Sequence, residues 1–405
     1  MNIVILGVGA QGSTIAKHAS REPGVRSVVC ADYAAASAMD LARQLGKTRG
    51  VQVDARDRAA VIQVARGCDL LVNALPPDFN MTLMEAALEV GCHYQDLASG
   101  PVADTDFISA VKRQLALDQE FKDRGLGALT NTGSAPGLVS ILARHAADQL
   151  DQVERIEVIV YDGVWTRKFI PFWWSPETAF GDMAARPINY VNGEFVEVPP
   201  FNDPVMVDFK GLGRRRVVDH EHEEPVTFGL FADRAFKGCR NVSFKYGGPA
   251  VDLAETLYKL GLLNTEPVNV KGTEIVPLEL VCQLTPPAPA SSTAVKEALA
   301  EGMVSEEGAC LVRVSGQKAG APACVENYVN APGLTEAFEK HGLTHETFLT
   351  GQAAFMFTKL FIEGRIDLTG VFTPELLNHA TRCRYLAGMA RLGVTVDEYC
   401  ISRLA

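Results

Sequence analysis

Hydrophobic and polar positions alternate in two different ways along this chain. Over roughly the first 130 residues, short unbroken apolar runs are separated by amphipathic stretches. Ile3 to Leu6, Val28 to Ala31 and Asp69 to Ala74 carry little or no polar alternation, which suits strands buried on both faces of a parallel sheet. Val51 to Val53, Tyr94 to Leu97 and Ala128 to Thr130 read as three further strands. Helical spacing fills the gaps at Ser13 to Ser20, Ala34 to Leu45, Arg58 to Arg66 and Asn80 to Val90. In the last of these, Met81, Met84, Ala87 and Leu88 mark the apolar face. A long amphipathic helix is expected from Asp104 to Arg124, stopped by Gly125 and Gly127. Strand and helix in strict alternation predict an α/β fold with a Rossmann-type doubly wound parallel sheet.

Past a helix expected at Leu138 to Leu150 the pattern changes. Val153 to Val160 alternates and is rich in β-branched residues, and Phe195 to Val198, Val226 to Leu230, Val242 to Tyr246 and Leu311 to Ser315 are strand candidates. They predict a second α+β domain with a mostly antiparallel sheet. An irregular aromatic stretch holds Trp165, Phe169, Phe172, Trp173 and Trp174. Residues 284–292, rich in Pro, Ala and Ser, lead into a helix at Ala294 to Glu301, and helices follow at Thr350 to Glu363 and Leu376 to Gly393. The expected domains are 1–130 (dinucleotide binding), 131–350 (substrate and dimerisation) and 351–405 (C-terminal helices).

The first strand runs directly into Gly7-Val8-Gly9-Ala10-Gln11-Gly12. In this pattern Gly7 permits a tight turn, Gly9 lets the backbone approach a pyrophosphate, and Gly12 lets the helix pack on the strand. The helix start at Ala10 and Gln11 would then offer free N–H groups to phosphate. Asp32 ends the second strand, twenty positions after Gly12. A carboxylate there accepts hydrogen bonds from the adenine ribose hydroxyls of NAD, and favours NAD over NADP. It reads equally as a cap for the helix that follows.

The net charge of −11 and the lack of any long basic block argue against a nucleic-acid surface. No apolar run is long enough to span a bilayer, and nothing reads as a signal peptide, so a cytoplasmic protein is expected. The nine cysteines form no CxxC pair and read as reduced thiols without a catalytic role.

Four stretches carry a family resemblance: the glycine turn, Val72-Asn73-Ala74-Leu75, His93-Tyr94-Gln95-Asp96-Leu97 and Gly133-Ser134-Ala135-Pro136-Gly137. With the late run from Gly351 to Glu375, they make the chain resemble the saccharopine dehydrogenase family over nearly its whole length. The resemblance implies a Rossmann domain, a second α+β domain and C-terminal helices that return to the first. It also implies hydride transfer between a nicotinamide and the C–N bond of a small amino-acid substrate. Within the family the layout is most similar to bacterial L-lysine 6-dehydrogenases. The turn at Gly133 to Gly137 lacks the acid usual in saccharopine reductases, whereas the aromatic stretch at Trp165 to Trp174 departs from the lysine enzymes. A saccharopine- or opine-type dehydrogenase acting on an N-substituted amino acid is the alternative, and a non-catalytic NAD-binding redox sensor another. A homodimer or higher homo-oligomer is expected.

Amine oxidation needs a group to take a proton or steady an iminium. Asp96, at a strand end, is the leading catalytic candidate, although a turn acid would look the same, and His93 is the second, although a structural histidine is the plainer reading. Asn73, Ala74, Leu75, Pro136 and Gly137 are expected to line the cofactor. Tyr94, Ser134, Arg167 and His220 are candidate substrate contacts, with Lys168 and Arg214 to Arg216 as further carboxylate holders. His220 and His222, on a strand, would share a face, but no metal is expected because no ligand set accompanies them.

Overall fold

The structure is a computed structural model and describes residues 1–103, 105–168, 173, 175–289 and 292–402. Asp104, Phe169, Phe172, Trp174 and positions 290–291 of the proline-rich connection lie outside the described residues.

In chain order the strands are β1 (Asn2–Leu6), β2 (Ser27–Asp32), β3 (Thr48–Gln52), β4 (Leu70–Asn73), β5 (His93–Asp96), β6 (Gly127–Leu129), β7 (Gln152–Thr166), β8 (Ile188–Val191) and β9 (Glu194–Glu197). They continue with β10 (Val205–Phe209), β11 (Gly213–Asp219), β12 (Val242–Gly247), β13 (Val268–Val270), β14 (Thr273–Ile275), β15 (Met303–Lys318), β16 (Ala321–Asn330), β17 (Gly370–Phe372) and β18 (Thr395–Ser402).

The chain divides into two compact units. Unit 1 comprises residues 1–149, 226–238 and 347–395. Its sheet has the order β17-β6-β5-β4-β1-β2-β3, and every pair in it is parallel. Strand order reverses between β1 and β4, and ligands of such sheets bind outside the carboxyl ends of the strands at that switch point. The apolar runs are buried as their composition demands, with Ile3, Val4, Ile5 and Leu6 almost wholly covered. Leu83, Met84, Ala87 and Leu88 cover one face of the sheet from the helix Asn80–Val90.

Unit 2 comprises residues 150–225, 239–346 and 396–405. Its large sheet runs β10-β11-β12-β7-β15-β16-β18, with β8 and β9 attached beside β12. Antiparallel pairing dominates, but β12 and β7 run parallel.

Three sequence expectations fail locally. The helix expected from 104 to 124 is broken into Phe107–Leu115 and Asp118–Asp123. The break lets Asp118 accept the Val371 N–H at 2.9 Å, on the edge strand β17 that the sequence reading overlooked. Val226 to Leu230 is not a strand but lies in the helix Glu223–Leu230. Its first turn carries Glu223, Glu224 and Pro225, all suited to a helix N-terminus, and these outweigh the weak β-propensity of Val226 and Thr227. His220 and His222 lie in the short link after β11, so strand alternation does not govern them.

Candidate functional site

The glycine turn links β1 to the helix Ala10–Ala19. Gly7 has φ +85°, and a Cβ there would stand 2.8 Å from the Ala74 carbonyl oxygen, across the switch point. A Cβ on Gly12 would overlap the Gly7 carbonyl oxygen. A Cβ on Gly9 would meet no protein atom within 4 Å. Gly7 and Gly12 are thus required by the fold, whereas Gly9 borders open space. The helix has Gly9 as its N-cap and no side-chain cap, so its first N–H groups stay available for phosphate. Ala10 is exposed there, and the buried Gln11 Oε1 has no hydrogen-bond partner.

Asp32 is tied to this turn. Its Oδ2 accepts the Val8 N–H at 2.8 Å and its Oδ1 the Ala34 N–H at 2.9 Å. The following helix starts at Ala35 with Ala34 as its N-cap, so Asp32 fixes the turn rather than capping the helix. Each oxygen keeps a lone pair for a ribose hydroxyl. A cleft of about 170 Å³ opens beside it, lined by Gly7, Asp32, Tyr33, Arg56, Leu75 and Phe79 among others. Arg56, which the sequence reading missed, lies 5.9 Å from the Tyr33 ring and pairs with Asp54 at 2.7 Å. Its signal was available: charged residues just after β3 fall at the ligand end of a doubly wound sheet.

The β4 and β5 candidates behave differently. Asn73 is fully buried, donates to Asn80 Oδ1 (2.8 Å) and Tyr94 Oη (3.1 Å), and accepts the Leu75 N–H at 3.0 Å. It shapes the Ala74–Leu75 turn from beneath. Tyr94 is equally buried, with its hydroxyl on the Asn73 amide. Asp96 is 1% exposed, accepting the Asn131 N–H at 2.8 Å and the Gln114 amide at 2.6 Å. A carboxylate so enclosed holds the β5 and β6 ends together. His93 lies at the amino end of β5, away from the ligand end. Its Nδ1 accepts the Gly127 N–H at 3.0 Å, its ring lies 5.4 Å from Phe361, and burial holds its pKa down. It packs at the end of the strand opposite to the ligand end.

The turn Gly133 to Gly137 sits after β6 and opens the helix Leu138–Asp148. Gly137, at φ +132°, has no room for a Cβ beside Gly133, and Pro136 is buried. Ser134 is half-buried, its hydroxyl 2.9 Å from that of Thr350.

In unit 2, Arg167 is exposed and Lys168 pairs with Glu301 at 3.1 Å. Arg215 pairs with Glu307 (2.7 Å) and Arg216 with Asp252 (3.1 Å) and Glu255 (2.7 Å), while Arg214 is exposed. His220 is held neutral, pushed down to about 3 by burial and by the charge on His222. Burial would also lower His222, but Glu224 and Glu223 carry it up to about 9. The ligand-type atoms of His222, Glu223 and Glu224 lie within 4.8 Å of one another, as do those of Asp162, His345 and Glu346. The sequence reading weighed the first group only through its histidines and did not find the second. Asp162 and His345 are too far apart in the chain for spacing to join them.

A family model described as the saccharopine dehydrogenase NADP binding domain matches residues 3–129, and one for the saccharopine dehydrogenase C-terminal domain matches residues 133–394. The chain is 26% identical over 348 residues to carboxynorspermidine synthase of Vibrio cholerae, covering 82% of this chain and 79% of that one. It is 22% identical over 404 residues to carboxyaminopropylagmatine dehydrogenase of Synechocystis, covering 98% and 97%. The fold matches that of apo saccharopine dehydrogenase (L-Glu forming) from Saccharomyces cerevisiae with a TM-score of 0.70, at 14% identity, over 99% of both chains. No helix among the described residues is long and apolar enough to cross a membrane.

Proposed function

Because this chain belongs to the saccharopine dehydrogenase family, we propose that it is an NAD-dependent oxidoreductase acting on a secondary amine that joins a carboxylate-bearing chain to a polyamine-type amine. The observation that carries this reading is the match to two enzymes named for carboxylated polyamines, one of them aligned over 98% of this chain. It favours the N-substituted substrate over free lysine. Lysine oxidation is the second reading, supported by the acid-free turn Gly133 to Gly137.

The glycine turn and the capless helix start would hold the pyrophosphate, and Asp32 the adenine ribose. NAD is preferred because a 2′-phosphate beside Asp32 would meet a carboxylate, and the Arg56 guanidinium that lines the same cleft is already paired with Asp54. When bound, the nicotinamide would supply the hydride-accepting carbon for oxidation of the C–N bond, and the protein supplies orientation and electrostatics. Asn73 and Asp96 serve by fixing the strand ends from which the site loops leave.

The test is NAD and NADP reduction, followed by absorbance, with carboxynorspermidine, carboxyaminopropylagmatine, saccharopine and lysine. One of the carboxylated polyamines should turn over with NAD at the highest kcat/KM. Turnover of lysine alone would give the second reading the field, and no turnover with any of the four would defeat both.

A further inference from the structure

Unit 2 holds ionisable side chains that cofactor binding does not use. Glu224 is completely buried. One of its oxygens meets the His222 imidazole, and the other, Oε1, has no hydrogen-bond partner. Glu223 is buried as well, 3.3 Å from the same imidazole. Two carboxylates therefore share one imidazolium. Asp182 and Glu221 add to the excess, because burial and their acidic neighbours hold Glu221 up at about 7 and burial alone holds Asp182 at about 6. Both gain charge as the solution approaches neutrality. A buried carboxylate oxygen without a donor is costly, and a cation that reaches it relieves that cost.

A second cluster lies in the same unit. His345 Nε2 stands 3.8 Å from Asp162, and the His345 Nδ1 has no hydrogen-bond partner. Glu346 adjoins them, held up at about 7 by burial, and the Trp173 ring meets the His345 ring edge-on at 5.7 Å. Aromatic rings run from the first cluster toward the second, because Tyr246 pairs with Val160 on β7, the strand that carries Asp162. Phe244 stacks on His222 at 3.9 Å, and the His220 ring lies 6.1 Å from Phe244 and 5.2 Å from Tyr246. Tyr246 in turn feels Asp162 and Glu346, whose charges add to burial in raising its phenol.

We propose that these two clusters and the rings between them bind a linear polyamine, with one ammonium at Glu223 and Glu224 and a second at Asp162 and Glu346. A flexible chain carrying separated positive charges needs carboxylates at two places and a flat, weakly polar wall for its methylenes. Phe244, His220 and Tyr246 supply that wall, with cation–π attraction for any charge above a ring. A divalent ion would use one cluster and leave the wall without purpose, and His222 already spends its Nδ1 on Glu224. The inference rests on the carboxylated-polyamine reading above and adds the side chains that recognise the amine.

The experiment is calorimetric titration of the full chain with norspermidine, with butylamine as a singly charged control and zinc chloride as a metal probe. Norspermidine should bind, and butylamine more weakly. Glu224→Gln and Glu346→Gln should each weaken norspermidine at least about tenfold, about 1.4 kcal/mol, with NADH binding unchanged. Should Glu224→Gln fail to fold by circular dichroism, Glu346→Gln decides alone. No heat with norspermidine, affinities equal to the unmodified chain in both variants, or zinc binding lost in Glu224→Gln while norspermidine binding persists, would each overturn the proposal. Carboxynorspermidine turnover indifferent to both variants would overturn it while leaving the functional reading intact. Norspermidine binding that follows the variants, without turnover of any substrate, would overturn the functional reading alone.

Discussion

At the scale of single residues, identical chemistry takes on different work according to burial. Asp32 and Asp96 both end strands of one parallel sheet, yet Asp32 borders a cleft while Asp96 is enclosed by Asn131 and Gln114. Asp32→Ser removes the charge that would repel a 2′-phosphate. That repulsion reaches about 4 kcal/mol for a unit charge pair at about 4 Å and an effective dielectric of about 20. The NAD-over-NADP ratio of kcat/KM should therefore fall at least about tenfold, and an unchanged ratio would remove Asp32 from the ribose site. Asp96→Asn turns an acceptor into a donor facing the Asn131 N–H or the Gln114 amide. Urea unfolding should show a loss of about 1–3 kcal/mol, while kcat of the folded protein stays within about threefold. A tenfold fall in kcat at full stability would restore Asp96 as a chemical group. His222 adds a pH effect. Its folded pKa of about 9 lies above its ordinary value of 6.5. Its stabilising contribution is thus complete below about pH 6.5 and is lost as pH rises through about 9. Melting temperature should decline over that window, and His222→Gln should flatten the decline.

At the scale of elements, the unit 1 sheet was legible because its strands are apolar runs with fixed punctuation. The helix Asn80–Val90 matches its expected bounds, and β1, β2, β4, β5 and β6 fall within one or two residues of theirs. What escaped was set by contacts distant in sequence. Gly370–Phe372 has too few residues to show a period and becomes a strand only by pairing with β6. Glu223 to Leu230 has a β-branched middle, and its helix start decides the outcome. His93 and Asp96 share one short strand, and residue order in a parallel sheet already sets His93 at the end away from the ligand. The orphaned oxygen of Glu224 depends on how the chain packs, which no local pattern records. Within the glycine turn the three positions separate cleanly. Gly12→Val would drive a side chain into the Gly7 carbonyl and should cost folding itself, by about 3 kcal/mol or more. Gly9→Val borders open space, so the chain should fold normally yet lose NADH affinity by at least about tenfold in a fluorescence titration. Unchanged NADH affinity in folded Gly9→Val would place the pyrophosphate elsewhere.

At the scale of the whole molecule, unit 1 is assembled from three separate stretches of chain, so its stability cannot reside in residues 1–149 alone. The helix His345–Ile362 supplies much of the closure. From it the Ala354 carbonyl accepts the Gln95 side-chain amide at 2.9 Å, and the Thr358 hydroxyl donates to Gln95 Oε1 at 2.8 Å. The same amide donates to Thr132 Oγ1 at 3.0 Å, and Gln95 is wholly buried in β5. Lys359 reaches Glu22 at 2.6 Å, and the buried Arg382 pairs with Asp148, tying the returning segment at two further points. Gln95→Leu keeps the volume roughly but removes three hydrogen bonds, to the Thr132 hydroxyl, the Thr358 hydroxyl and the Ala354 carbonyl, which keep the Asp96 carbonyl and each other as partners. Each lost hydrogen bond of this kind costs about 0.5–1.5 kcal/mol, offset in part by added apolar burial. A net loss of about 2–4 kcal/mol is expected in urea unfolding. Hydrogen exchange should accelerate together in residues 1–149 and 347–395, because the bond joins both parts of one cooperative body. Exchange in β7 and β15, which belong to unit 2, should stay as it was. If protection fell in 347–395 alone, the returning segment would be an appendage rather than part of the unit 1 core.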